Sequence, residues 1–215
     1  MANQKVYWKI LEERFGQLKR ELPVTQRFEG YFNGIQGWQF PIETVRRANK
    51  KGQLLTMDID FPGNRCLLDC VYCFAKAGEK TGTYYRQDKG DKPLTVEEVK
   101  DVLKEAKQLG LESAKVIGYR EPFDNPGIHD FIDYAAGLGI HLVVFTAGYT
   151  LGEQEFNGDL IRAVDFLAER PVSLMVKLHT LDKEKEDEIV RREGYSISYI
   201  RITFSSNNFI FFFFI

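Results

Sequence analysis

The chain has 215 residues, a formal net charge of -2 and a hydrophobic fraction of 44%. This length suits one large domain with a buried core, and the nearly balanced charge argues against nucleic acid or an anionic membrane as partner. The sequence contains no stretch of 18 apolar residues, and its first residues, MANQKVYWKI, lack the apolar run of a signal peptide, so we expect a cytoplasmic protein without a membrane partner.

Residues 1–50 are predicted to form an N-terminal helical extension. Residues 3–22 carry apolar side chains at helical spacing, and Pro23 is expected to end this helix. Turn signals follow at Asn33-Gly34 and at Gly37. None of these residues belongs to a motif that indicates a function.

From residue 53 onward, apolar strands alternate with helices, which predicts βαβ units and a parallel sheet. Four strands are expected, together with four helices between or after them and a further helix that ends the cysteine-containing segment at about Ala77; residues 51–195 are taken as the core domain. The strands are predicted at residues 53–61, 113–119, 140–148 and 171–179, and the helices at residues 95–110, 125–139, 156–170 and 181–194.

The ends of three of these helices carry specific signals. Thr95 and Glu98 have the spacing of a capping box, and Gly110 is expected to close that helix. The third helix is expected to be capped at Asn157 or Asp159, and the fourth to stop at Gly194.

Residues 196–215 differ in character from the rest of the chain. The sequence SISYIRITF, residues 196–204, alternates like a fifth strand, whereas FIFFFFI, residues 209–215, is not typical of a soluble surface. Two interpretations stay open: a buried terminal strand, or a tail foreign to the design of the domain, such as one from a disrupted reading frame.

All three cysteines of the chain lie in the segment CLLDCVYCFA, as Cys66, Cys70 and Cys73. An odd number of thiols packed into eight residues does not resemble a disulfide framework and favours metal binding. Structural zinc requires four ligands, and the nitrogen ligands of this chain, His129, His141 and His179, are remote in sequence. An iron–sulfur cubane instead has one thiolate on each iron, so that three cysteines leave one iron open.

The spacing Cys66-x3-Cys70-x2-Cys73, with the aromatic Tyr72 before the last cysteine and a strand before the first, resembles the signature of the radical S-adenosylmethionine (radical SAM) superfamily. The resemblance implies that the three cysteines hold a [4Fe-4S] cluster, and that its open iron binds the amino and carboxylate groups of S-adenosylmethionine. One electron then cleaves this molecule to methionine and a 5'-deoxyadenosyl radical, which abstracts hydrogen from a substrate. The implied fold is an α/β partial (β/α) barrel of the radical SAM type, truncated after four or five βα units.

The segment Gly118-Tyr119-Arg120-Glu121-Pro122 follows the second predicted strand and resembles the Gly-rich, Gly-Glu-Pro segment of the family. The resemblance implies that Gly118, Tyr119, Glu121 and Pro122 hold the methionine ammonium of the cofactor, because an ammonium requires carboxylate and carbonyl acceptors. Arg120 stands where the family usually has glycine.

Thr146, followed by Ala147-Gly148, resembles the Thr-Asn-Gly end of the family's third strand. Lys177 and His179 lie at the end of the fourth predicted strand, where the resemblance implies contacts to the ribose or the substrate. Thr180, beside them, is a further candidate. No side chain is assigned a catalytic role, because the cofactors carry the chemistry. His129 and His141 are expected to be structural or exposed.

Three functions follow from these observations. The first is a radical SAM enzyme with an unidentified substrate and an electron donor such as a flavodoxin or a ferredoxin. The second is a catalytically inactive or split-protein fragment that still binds a cluster. The third is a zinc-binding interaction module. The iron content, the zinc content and the production of 5'-deoxyadenosine distinguish the three.

Overall fold

The structure, a computed structural model, describes residues 36–62, 66–73, 94–118, 120–151, 154–156, 159–161, 163–180, 182–195 and 210–214. The helix predicted at residues 3–22, the strand predicted at residues 196–204 and the candidate site residue Tyr119 lie outside these residues.

The described elements follow the predicted alternation of strands and helices. In chain order they are α1 (Ile42–Lys51), β1 (Thr56–Ile59), α2 (Val96–Gln108), β2 (Ser113–Val116), a short 3-10 helix (Pro122–Asp124), α3 (Ile128–Gly137), β3 (His141–Thr146), β4 (Gln154–Phe156), β5 (Asp159–Ile161), α4 (Ala163–Ala168), β6 (Val172–Leu178), α5 (Lys183–Val190) and β7 (Ile210–Phe214).

Five of the strands form one parallel sheet, in the order β1, β2, β3, β6, β7. Parallel neighbours require a crossover, and α2 and α3 lie in the crossovers from β1 to β2 and from β2 to β3. The predicted α/β class and its parallel sheet are therefore confirmed. Strands β4 and β5 pair with each other in an antiparallel hairpin outside this sheet.

The central strands are buried on both faces, as their unbroken apolar sequences predict. Side chains that alternate along β3 belong to two different clusters, with Leu142 and Val144 on one side and Val143 on the other. The first cluster includes the fully buried Leu103 of α2 and Phe131 of α3. Helices therefore cover one face of the sheet, as in a (β/α) unit.

The predicted capping box of α2 is confirmed. The Thr95 side chain accepts a hydrogen bond from the Glu98 N–H at 3.2 Å, and the Glu98 carboxylate accepts one from the Thr95 N–H at 2.7 Å. These bonds satisfy N–H groups at the start of the helix that have no partner within it. They also lower the pKa of Glu98.

Replacing Thr95 with alanine is expected to destabilise the fold by about 1 kcal/mol, because the N–H of Glu98 loses its acceptor. The control is Thr95→Ser, which keeps the hydroxyl and is expected to lie near the parent. Urea denaturation of the three proteins measures the difference. Equal stability of the alanine and serine variants would show that the cap is not needed.

The helix predicted at residues 156–170 is wrong in its first half. Residues Gln154–Phe156 and Asp159–Ile161 form the β4–β5 hairpin, and among the described residues of this span Ala163–Ala168 are helical. Asp159 therefore lies in a strand and does not cap a helix, and Asn157 lies outside the described residues. The register pairs Phe156 with Asp159 and leaves two residues between them. Those residues are Asn-Gly, the dipeptide most typical of a two-residue hairpin loop, and this signal outweighs the helical spacing of the apolar residues.

The end of α5 was also predicted too late. The helix ends at Val190, and Arg191 adopts the left-handed conformation with φ 53°, so Gly194 does not stop it. The N–H groups after the helix bond back to the carbonyls of Asp187 and Glu188. A left-handed residue after the last turn is the usual way to satisfy such carbonyls, although it is usually glycine.

The phenylalanine-rich tail supplies the strand β7. Its residues Ile210–Phe214 pair in parallel with Leu174–Leu178 of β6. Of the two interpretations of residues 196–215, this pairing favours the terminal strand, at residues 210–214. The strand expected at residues 196–204 lies outside the described residues. The predicted domain boundaries at residues 50 and 195 stay predictions.

Within the described residues, no helix is both long enough and apolar enough to cross a membrane.

Candidate functional site

The candidate residues lie at one edge of the parallel sheet. The register aligns Val116 with Val144 and Thr146 with Val176, so the carboxyl ends of β2, β3 and β6 lie side by side. Glu121 follows β2, Thr146 ends β3 and His179 follows β6. In α/β barrels this end of the strands is where active sites are formed.

The segment Cys66–Cys73, here named the cysteine loop, lies after the carboxyl end of β1. Its three cysteines are half-buried, and none of them is in a disulfide. The helix predicted to begin here is replaced by a turn, in which the Cys73 N–H bonds to the Cys70 carbonyl at 3.0 Å. Residues 74–77, where that helix was predicted to continue, lie outside the described residues.

Burial raises the pKa of the Cys66 and Cys70 thiols above the ordinary value. Lys177 of β6 lies near enough to lower the pKa of Cys70 in part. Metal ligation requires thiolates, so loading this loop with a metal releases protons. In the free loop, burial therefore favours the protonated form of the Cys66 and Cys70 thiols.

The donor set of the cysteine loop fits an iron–sulfur cluster. In a cubane each thiolate binds a different iron, and the three free thiols of this short loop can supply three such ligands. Structural zinc requires four ligands, and the loop offers three cysteines. Among the described residues, no group of three His, Cys, Asp or Glu side chains is placed to hold a single metal ion.

Glu121 is a buried polar group at this edge of the sheet, with only 2% of its surface exposed. Its Oε1 accepts hydrogen bonds from the Thr146 hydroxyl at 2.5 Å and from the Phe123 N–H at 3.4 Å. Its Oε2 accepts one from the Ala147 N–H at 2.7 Å. The carboxylate therefore joins the segment after β2 to the end of β3.

Burial raises the pKa of Glu121 to about 7, although the bonds from Thr146, Ala147 and Phe123 lower it in part. An ionised carboxylate has roughly four acceptor positions, and three are filled here. One position on Oε2 is left for a further donor. The group can thus accept a bond from an ammonium, and a positive charge there favours the ionised form.

Gly118 has a packing reason to lack a side chain. A Cβ at this position would lie 2.3 Å from Oδ1 of Asp60, which follows β1. Burial raises the pKa of Asp60, and the nearby Arg120 lowers it in part. Arg120, which replaces the family's usual glycine, therefore acts electrostatically on Asp60. Pro122 is the first residue of the 3-10 helix that Glu121 begins.

His179 is held by a carboxylate that the sequence analysis missed. Its Nδ1 lies 2.9 Å from Oε1 of Glu186, a fully buried residue of α5. Oε2 of Glu186 accepts the N–H groups of His179 and Thr180 at 3.1 and 2.9 Å. The imidazole packs on the ring of Tyr72 in the cysteine loop, with centroids 4.7 Å apart.

Tyr149 connects the cysteine loop with the segment after β2. Its hydroxyl donates to Oδ2 of Asp124 at 2.5 Å and accepts the N–H of Leu67 at 3.1 Å. The same hydroxyl lowers the pKa of Cys66 in part. Burial raises the pKa of Tyr149 above its ordinary range, so the phenol stays protonated and able to donate.

The structure thus brings the predicted residues together in two groups. Glu121 and Thr146 form one, and Lys177, His179 and the cysteine loop form the other. The sequence analysis missed Asp60, Tyr149 and Glu186, of which only Tyr149 carried a signal, since it directly follows the Thr-x-Gly segment. The other histidines lie elsewhere: His129 packs between Phe123 and Phe166, and His141 bonds to Ser173 at the opposite, amino end of β3.

The parallel βα units define the class of this chain, an α/β protein of partial-barrel type. It carries a three-thiol loop after β1 and the buried Glu121 after β2. The family model of the radical SAM superfamily matches residues 61–204, more than half of the chain. The chain belongs to the radical SAM superfamily. No curated protein sequence matched the chain.

Three solved structures are similar to parts of the chain. The crystal structure of SuiB from Streptococcus suis has a TM-score of 0.51 at 20% identity, and the match covers 89% of this chain and 39% of SuiB. SuiB bound to S-adenosylmethionine gives 0.47 at 21% identity, with 83% and 37% covered. TYW1 with a lysine–pyruvate adduct gives 0.39 at 15% identity, with 64% and 47% covered. The chain therefore spans about two fifths of SuiB, and the likeness concerns the fold.

Proposed function

We propose that the chain is a radical SAM iron–sulfur protein that cleaves S-adenosylmethionine reductively and abstracts hydrogen from a substrate. The observation that carries the proposal is the cysteine loop: three free thiols, after the first strand of a radical SAM domain, with no fourth ligand near them in sequence. The substrate stays unidentified, and the electron donor is proposed to be of the flavodoxin or ferredoxin class.

Cys66, Cys70 and Cys73 would hold the cluster. When bound, a [4Fe-4S] cluster supplies the single electron that cleaves the sulfonium of S-adenosylmethionine, giving methionine and a 5'-deoxyadenosyl radical. The protein contributes a half-buried loop, which limits access of water and oxygen to the metal. Lys177 places a positive charge near Cys70 and offsets part of the negative charge of the thiolates.

Glu121 would accept the methionine ammonium at its remaining acceptor position, with Gly118, Tyr119 and Pro122 forming the surrounding segment. Thr146 would act by orienting the carboxylate, because its hydroxyl donates to Oε1. Since burial holds the pKa of Glu121 near 7, binding of an ammonium at neutral pH favours loss of a proton from this carboxyl. Lys177 and His179 would face the ribose or the substrate.

Anaerobic reconstitution with iron and sulfide, followed by incubation with S-adenosylmethionine and a chemical reductant, tests the proposal. We expect a brown protein with about four irons per chain and reductant-dependent formation of 5'-deoxyadenosine. A cluster without 5'-deoxyadenosine would support the inactive-fragment alternative. A colourless protein with one zinc per chain would support the zinc-binding module. Either of these two results would contradict the proposal that the chain is a radical SAM enzyme.

A further inference from the structure

The cysteine loop completes the last turn of α5. A helix leaves its last four carbonyls without partners inside the helix, and here the chain that follows α5 satisfies the first two. The carbonyls of Ile189 and Val190 accept the N–H groups of Val71 at 2.9 Å and Asp69 at 3.1 Å. The middle of the loop is therefore docked on a helix end by main-chain bonds.

Side chains hold the two ends of the loop. At its beginning, the N–H of Leu67 bonds to the hydroxyl of Tyr149, which is itself bonded to Asp124. Together with the bonds to α5, the N–H groups at residues 67, 69 and 71 all have protein partners. Alternate N–H groups of the loop are thus occupied by the protein before any metal is considered.

At the other end of the loop, Tyr72 makes the contact with the segment that follows β6. Its ring packs on His179, and its hydroxyl lowers the pKa of Cys70 in part. Glu186 fixes His179, because its carboxylate accepts the two N–H groups of His179 and Thr180 and bonds to Nδ1. We assign the ring hydrogen to Nδ1, since a carboxylate oxygen that already acts as acceptor requires a donor.

The imidazole of His179 therefore has one defined orientation. Only 6% of its side chain is exposed, and Nε2 is buried without a hydrogen-bond partner among the described residues. A buried carboxylate behind a histidine is the arrangement that orients imidazoles beside metal centres. Nothing about the charged sequence of α5 indicates this role, because Glu186 is one of several acidic residues there.

We propose that Tyr149 and Glu186 are positioning residues that hold the two ends of the cysteine loop in the conformation that receives the cluster, with Glu186 acting through His179 and Tyr72. The claim that this conformation receives a cluster rests on the proposed function. The arrangement itself is a property of the metal-free protein, so it is tested without a cluster and without activity.

The test is the rate at which a thiol reagent labels each cysteine in the full-length apo protein, resolved by mass spectrometry of the peptides. In Glu186→Gln the side chain keeps its size, but its amide can no longer accept all three hydrogen bonds. In Tyr149→Phe the ring stays and the hydroxyl is lost. The control is Glu188→Gln, the same change at an exposed position of α5.

We expect Glu186→Gln to raise labelling of Cys70 and Cys73 about tenfold with little change at Cys66, and Tyr149→Phe to do the reverse, because each change removes one or two net hydrogen bonds at one end only. The control is expected to stay within about twofold of the parent. Thermal unfolding followed by circular dichroism checks that each variant is folded. If Glu186→Gln does not fold, His179→Gln is measured against the same criterion.

Equal acceleration at all three cysteines would indicate general loosening, and no acceleration would indicate that the side chains are not needed; either result would overturn the proposal. A second measurement concerns the loaded protein. The midpoint potential of the reconstituted cluster, followed by EPR, is expected to shift in Glu186→Gln and not in Glu188→Gln. If no cluster forms in any protein, the proposed function fails while the labelling result stands.

Discussion

Replacing Cys70 with alanine is expected to abolish cluster binding and the formation of 5'-deoxyadenosine. Cys70 is the middle ligand of the proposed set and cannot be replaced, since the chain has three cysteines in all. Even changes in residues that merely orient metal ligands lower metal affinity 10- to 100-fold, so loss of a ligand should lower product formation by more than about a hundredfold. Iron content, visible absorption and chromatography of the reaction mixture measure the effect.

The matched control for this change is Val71→Ala. Val71 is 58% exposed, and alanine keeps the N–H that bonds to α5, so the loop retains its three thiols and its docking. We expect this variant to bind iron like the parent. A Cys70→Ala protein that held four irons and cleaved S-adenosylmethionine would refute the assignment of the ligands, and the same two measurements apply to Cys66→Ala and Cys73→Ala.

The contribution of Glu121 to the stability of the fold is expected to fall as the pH rises from about 4.5 to about 7. Burial raises its pKa from 4.5 in the unfolded chain to about 7 in the fold. Between these values the folded state binds the proton and the unfolded state does not, so unfolding releases it. The contribution of this group is fully present below pH 4.5 and is lost above about pH 7. At 1.36 kcal/mol per pH unit, its size is about 3 kcal/mol.

Glu121→Gln removes this titration, because the side-chain amide neither gains nor loses a proton between pH 4.5 and 7. We expect the unfolding free energy of the parent, relative to that of the variant, to fall between pH 4.5 and 7, measured by urea denaturation of both proteins at a series of pH values. Burial lowers the pKa of His129 and His141, which act in the opposite direction, and their effect cancels in this difference because both proteins contain them. The control is Glu112→Gln, at an exposed position just before β2, which should keep the parent's profile. Parallel profiles for the parent and the Glu121 variant would show that this carboxyl does not titrate near neutrality.

The same substitution separates two roles of Glu121. If the carboxylate accepts the methionine ammonium, the affinity of the variant for S-adenosylmethionine should fall about tenfold or more, as expected for a charged hydrogen bond. Calorimetry in buffers of different ionisation enthalpy should also detect proton release from the parent near pH 6.5. If the variant binds the cofactor with the same affinity as the parent, the role of Glu121 is limited to joining the segment after β2 to the end of β3.

Local signals in the sequence were sufficient to predict features whose interacting residues lie close together in the chain. The capping box of Thr95 and Glu98 was predictable because all its partners lie within four residues. Buried apolar runs predicted the parallel strands, since both faces of β3 are covered. The pairing of residues 154–156 with residues 159–161 is not predicted by the helical spacing of the apolar residues there. The Asn-Gly dipeptide between the two strands favours a two-residue hairpin loop, and this local effect on the backbone is stronger than a short periodic pattern.

The sequence by itself determined that three thiols lie on one short loop, and that Glu121 and Thr146 follow strands whose carboxyl ends meet. These facts depend on spacing along the chain and on the geometry of parallel strands. The tertiary structure alone decided which groups complete the site. Glu186 lies 113 residues from Cys73 and reaches the cysteine loop only through His179 and Tyr72. Burial of Glu121, which raises its pKa, likewise exists only once the sheet and helices have packed around it, because desolvation is a property of surroundings that no local pattern encodes.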